Sequence, residues 1–231
     1  MELANAHLFY DFDWPAAERE FKRALELNPS YAAAHEYYAW YLIDMGRSAE
    51  SLVEARKAEQ LDPLSAEDVY VAGWFLHFSG RYADSVAEID KCLELDPNLW
   101  IAYYIQGQAY EHLGRFPQSL AVLKKSQQIF DSNPSLPLAE EARVYAFSSR
   151  QGDALRTLDR LLALSKRMQV SKYPIATVYA ALRDEGQAFA YLNRAYDEHS
   201  FMLGFLKVDP ALGPLRSDPR FQDLLRRMRL Q

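Results

Sequence analysis

The 231-residue chain has one cysteine, nine glycines and eleven prolines, and its longest stretch without a formal charge, Pro97–Tyr110, is 14 residues long. Each shortage excludes something. One thiol, Cys92, cannot form an internal disulfide. An uncharged run of that length, broken by Gln and Gly, falls short of the roughly 20 apolar residues that cross a bilayer. The N-terminal MELANAHLFYDFDW carries acids where a secretory leader has a basic segment and an apolar run; a cytoplasmic location is the expectation. Few Gly and Pro beside 49% hydrophobic and 13% aromatic residues exclude a disordered polymer and suggest a helical fold.

Self-similarity is plentiful. Asn28-Pro29, Asp62-Pro63 and Asp96-Pro97 recur 34 residues apart after RALELNP, KAEQLDP and KCLELDP. With each proline at position 32, the register continues through six units, 1–31, 32–65, 66–99, 100–133, 135–168 and 169–202, with one residue inserted before the fifth. Positions 8, 20 and 27 are small. Ala, Gly or Ser fill 15 of these 18 places, among them Ala39, Gly73 and Gly107 at position 8 and Ser51, Ser85 and Ser119 at position 20. Antiparallel helices crossing at 8–10 Å need small side chains at the contact and larger ones beside it. The larger ones are Leu8, Leu42, Leu76, Tyr110, Tyr145 and Tyr179 at position 11. Gly46, Gly80 and Gly114 at position 15 predict a left-handed residue closing the first helix of a hairpin. Proline at 32 ends the second, and Ser65 with Asp68 predicts a cap on the next.

This pattern resembles the tetratricopeptide repeat family over residues 1–202. The resemblance implies an all-α, right-handed solenoid of stacked helix hairpins. Pro134, Pro137 and the inserted residue suggest a bend or looser stacking between units four and five. Residues 203–231 differ: Phe221, Leu224, Leu225 and Met228 follow helical spacing after Asp218-Pro219, predicting a helix that caps the last unit. This segment is net +3 and the first 202 residues net −9, within a total of −6. Its text, FLKVDPALGPLRSDPRFQDLL, is similar to the end of repeat regions in bacterial multidomain regulators, which carry a Ser/Thr kinase, nucleotide cyclase or winged-helix domain upstream. That likeness, with unit one beginning at its fourth position, suggests the C-terminal part of a larger regulator, Met1 being a truncation or a predicted start.

A stack in which each repeat touches only its neighbours presents a concave surface built from the first helices. In the family, positions 2, 5, 6, 9, 12 and 13 face it. The resemblance therefore implies a groove of Glu36, Tyr37, Trp40 and Asp44; Glu67, Tyr70, Trp74, His77 and Phe78; Tyr104, Gln108, Glu111 and His112; and Arg143. The family's carboxylate clamp of Lys, Asn and Arg is absent. Aromatic rings edged with acids suit a protein or peptide partner that is apolar or carries Arg or Lys, although the chain's own tail could also fill the groove. Replacing Trp40 and Trp74 with Ala is expected to weaken capture and spare helicity.

Other functions find less support. Five histidines and one cysteine do not give zinc spacing; His77 and His112 could meet near Glu111, but two groove histidines are more simply polar lining. No glycine loop cradles phosphate, and the acidic body lacks the basic track nucleic acid needs. The expectation is a non-catalytic module without cofactor or metal. Self-association through an uncapped unit one is the alternative.

Overall fold

A computed structural model describes residues 2–230; Met1, where the first unit begins, and Gln231 lie outside them. The described residues are helical throughout. The first hairpin pairs α1 (Glu2–Ala6), continued by a π-helical turn over His7–Asp11, with α2 (Trp14–Leu27). Then come α3 (Ala32–Asp44) with α4 (Ser48–Leu61), α5 (Ala66–Phe78) with α6 (Tyr82–Leu95), and α7 (Trp100–His112) with α8 (Phe116–Ile129). The last two are α9 (Ser135–Phe147) with α10 (Gln151–Ser165), and α11 (Lys172–Ala181) with α12 (Glu185–Asp197). Two 3₁₀ segments, Phe201–Lys207 and Pro210–Leu215, lead to α13 (Pro219–Arg227).

The small residues do what their size requires, and the serines do more. Ile89 and Leu123 press on Gly73 and Gly107 so closely that a methyl on either glycine would stand 2.7 or 2.6 Å from them. Ser51, Ser85 and Ser119 donate to the carbonyls of Ala39, Gly73 and Gly107 at 2.9, 2.7 and 2.7 Å, pinning the two helices of each hairpin where they cross. Asp68 N–H donates to Ser65 Oγ at 3.1 Å, the cap its spacing predicts.

Each hairpin turns through a left-handed residue. Gly46, Gly80 and Gly114 have φ of 75°, 75° and 69°, and the same place elsewhere is held by Phe12, Ser149 and Arg183 at 50°, 60° and 62°. A side chain there costs roughly 1–2 kcal/mol in backbone strain. Ser149→Gly and Arg183→Gly are each expected to raise stability by about 1 kcal/mol, read as a higher denaturant midpoint at unchanged slope.

Between the fourth and fifth hairpins the looser stacking does not occur. α9 packs on α8 much as α5 packs on α4. The inserted residue is absorbed in the preceding loop, where Phe130 stacks on Trp100 at 4.4 Å.

The C-terminal segment departs most from expectation. α13 does cap the last hairpin: Arg220 lies over Phe189, Arg227 lies over Tyr196, and Arg227 donates to Asn193 at 2.7 Å. The segment then reaches the other end of the stack, where Trp14 Nε1 donates to the Met228 carbonyl at 2.6 Å and Phe12 stacks on His199 at 6.3 Å. Phe12 and Trp14 are buried at this junction, Phe21 is buried against Tyr38 and Tyr41 of α3, and the apolar core runs without a break from the first hairpin through the tail to the last. The stack closes on itself. Residues 199–230 thereby cover part of the apolar face that an open first hairpin would offer for self-association, while Leu3, Tyr10 and Leu27 of that hairpin remain exposed.

Candidate functional site

Closure divides the concave face in two. The inner half is filled by the first 3₁₀ segment: Phe205 packs on Phe78, Trp74 and Trp40 at ring distances of 4.7, 5.4 and 5.7 Å. Asp44, His77, Phe78, Tyr104, Gln108, Glu111 and Arg143 are all buried, which corrects their assignment to an open groove. His112, partly buried, stacks on Tyr82 at 4.7 Å. Trp40 and Trp74 are also nearly covered, so removing them would damage packing as well as binding.

The buried half holds the charges. Arg143 donates through Nη2 and Nε to Glu111 at 2.6 and 3.2 Å, with Glu140 at 3.6 Å from its Nε. Burial pulls the Glu111 carboxyl upward, but the guanidinium outweighs it and holds Glu111 below its ordinary value. For Glu140 the balance is reversed: burial, reinforced by the Glu111 charge, outweighs the pull of the Arg143 charge and pushes it well up. His77 and His112 meet at 5.3 Å, yet burial holds both below the usual imidazole range, and Arg143 already occupies Glu111. Trp74, Gln108 and Glu140 each leave a buried polar atom without a protein partner around a cavity of about 10 Å³, the scale of one water molecule. Among the described residues, no three metal-ligating side chains come together.

The outer half is open, with a volume of about 960 Å³. Glu36, Tyr37, Glu67 and Tyr70 line it, and Trp40 and Trp74 form its floor. Sequence reasoning missed Phe9, Tyr10, Trp100 and Leu136, and also Glu198, His199 and Phe201 beyond α12. Phe9 and Leu136 occupy positions 12 and 2 of their units, so the register itself carried their signal. Phe201, 49% exposed, is there only because the chain folds back.

Among the described residues, no Lys or Arg lines this groove. Glu36 accepts from Trp40 Nε1 at 3.2 Å, and Glu67 accepts from Tyr70 OH at 3.3 Å. Burial pushes the Glu36 carboxyl up to about 7, opposed by the Trp40 hydrogen bond and reinforced by the Glu67 and Asp68 charges. The groove thus offers aromatic faces and two carboxylates, Glu36 and Glu67, with no Lys or Arg paired to them among the described residues, while Glu198 at its edge is held by Lys172 at 3.4 Å.

No curated protein matches the sequence. Among solved structures, PilW, a type IV pilus biogenesis factor, is 22% identical, with 97% of this chain and 96% of that one covered at a TM-score of 0.66. A thermophilic tetratricopeptide protein of Thermus thermophilus, TTC0263, is 17% identical, with 87% and 100% covered at 0.61. MamA is 18% identical, with 67% and 90% covered at 0.55. These likenesses concern the fold. The family described as Tetratricopeptide repeat matches residues 4–66 and 78–134, and with the hairpin stack above, the chain belongs to the tetratricopeptide repeat family.

Proposed function

We propose that this chain is a non-catalytic protein-interaction module that takes a partner segment into the outer half of its concave face. Tetratricopeptide repeats are in general scaffolds for protein–protein contact. The observation that carries the reading is the open aromatic groove with Glu36 and Glu67 on its wall and no Lys or Arg among its described lining residues. Such a lining favours an extended segment with an aliphatic or aromatic side chain beside a Lys or Arg, because rings supply contact area at low entropic cost and attract cations. On this reading the six units of residues 1–202 form the stack, residues 203–231 close it, and the whole serves as the sensory or scaffolding C-terminal part of a cytoplasmic bacterial signalling regulator.

Panning the full chain against a displayed random peptide library tests the binding surface. Selected peptides are expected to pair a basic with an aromatic or aliphatic residue, and Tyr70→Ala with Glu67→Gln to weaken them about tenfold or more, the scale of one lost cation–aromatic contact plus a charge. Acidic selected peptides, or affinities the two changes leave untouched, would refute it. A bound cation draws Glu36 below its free value of about 7, so affinity is expected to rise with pH to about that point and level off above it. Glu36→Gln should abolish that slope.

A further inference from the structure

The inner groove already has an occupant, and its build differs from the helices around it. Residues 201–215 form two 3₁₀ segments containing Gly204, Gly213, Pro210 and Pro214. They are entered through His199, a non-glycine residue at φ 50°, and held mainly by side chains. Phe205 sits among three rings, and Tyr173 OH donates to Asp209 at 2.7 Å. Short 3₁₀ turns carry little cooperativity of their own, so the segment depends on its docking contacts.

One of those contacts is unfavourable. Asp44, 3% exposed, lies under Gly204 with Oδ1 unpartnered. The approach is so close that a methyl on Gly204 would stand 2.4 Å from Asp44 Oδ2. The nearest cation of the segment, Lys207, lays its stem across Gly46 and forms no ion pair with Asp44. A buried carboxyl without a hydrogen-bond or charge partner is costly to keep.

We propose that residues 201–215 are a tethered occupant of the groove that undocks as a unit, so that a partner segment reaching the inner positions competes with the chain's own Phe205. Docking is a property of the chain alone and is tested without any partner, so it stands or falls separately from the outer-groove reading.

Docking also becomes linked to protons. Burial pushes Asp44 well up, as it does Glu140, which faces Glu111, Arg143 and Asp209. Closing the segment therefore takes up protons. The docking constant is full below the carboxyls' open-state values and falls about tenfold per pH unit for each carboxyl until its docked value is passed. His77 and His112, lowered by burial, act in the opposite sense and only below the usual histidine range. Tyr82, Tyr104 and Tyr173 are pushed upward and stay uncharged.

Amide hydrogen exchange on the full chain from pH 5 to 9, corrected for intrinsic rates and so spanning the range above the ordinary carboxylate values, reads this directly. Residues 201–215 are expected to exchange at least tenfold faster than α5–α8 and to lose protection as pH rises. Asp44→Asn should raise their protection at pH values above the ordinary aspartate range and make the pH profile shallower, Glu140 keeping its own share, whereas Gly204→Ala should lower it and leave α5–α8 unchanged. Exchange of 201–215 at the rate of α5–α8, or a pH profile that Asp44→Asn leaves unaltered, would overturn the proposal. Where Asp44→Asn does not fold, the comparison of rates in the unmodified chain decides alone.

Discussion

Arg143→Ala is expected to cost about 3–5 kcal/mol, the scale for removing one partner of a buried ion pair. Among the described residues the guanidinium is the one Lys or Arg cation paired with Glu111 and Glu140, all three side chains are buried, and its two hydrogen bonds to Glu111 measure 2.6 and 3.2 Å. Removing it leaves a buried carboxylate uncompensated. The loss is not the net value of the pair, since the pair also costs desolvation. Arg143→Met combined with Glu111→Gln is therefore expected to recover most of the stability, which would separate charge from packing. The pH dependence has a definite sign as well. Without Arg143, Glu111 rises above its ordinary value, so the deficit should narrow as pH falls and Glu111 takes a proton. Urea midpoints across pH would show it; a deficit that widens toward low pH contradicts the assignment.

Phe205→Ala is the second large effect, at about 3–5 kcal/mol for emptying a buried phenylalanine site. Its ring contacts Trp40, Trp74 and Phe78 and is 2% exposed, whereas Phe201, four residues earlier, is 49% exposed. Phe201→Ala should change stability by less than about 1 kcal/mol, as surface substitutions usually do. If 201–215 undocks as a unit, the cost of Phe205→Ala appears chiefly as release of that segment. Near-ultraviolet circular dichroism of the tryptophans would then fall while far-ultraviolet helicity is nearly kept. Equal effects from the two phenylalanines would mean that the inner groove is not packed as described.

What the sequence revealed and what it hid divide along a physical line. Hairpin geometry is imposed by sterics local to each repeat, so Gly73, Gly107 and the serines at position 20 announce the crossing points. Phe12, Ser149 and Arg183 do not, because a side chain tolerated at positive φ leaves no compositional mark. The four open groove residues, Glu36, Tyr37, Glu67 and Tyr70, follow from the family's groove positions once the register is set. The sealed ones could not be told from them. Tyr104 and Tyr70 share position 5, yet only the first lies beneath the returning chain, and a 3₁₀ segment has no periodicity to signal where it will dock. The charge pattern held a hint. One Arg among so many inner acids is more readily a buried partner than a surface hook, and Arg143 is that partner.

The indole N–H resonances of the four tryptophans test the central claim most directly, with a basic–aromatic peptide from the library titrated into the full chain. Trp100 lines the open groove and Trp40 and Trp74 form its floor, while Trp14 is held by the Met228 carbonyl at the closure. Binding in the outer groove predicts that the signals of Trp100, Trp40 and Trp74 move together along one saturable curve while Trp14 stays still. A peptide that binds while shifting only Trp14, or none of the four, would place the interaction elsewhere and contradict it.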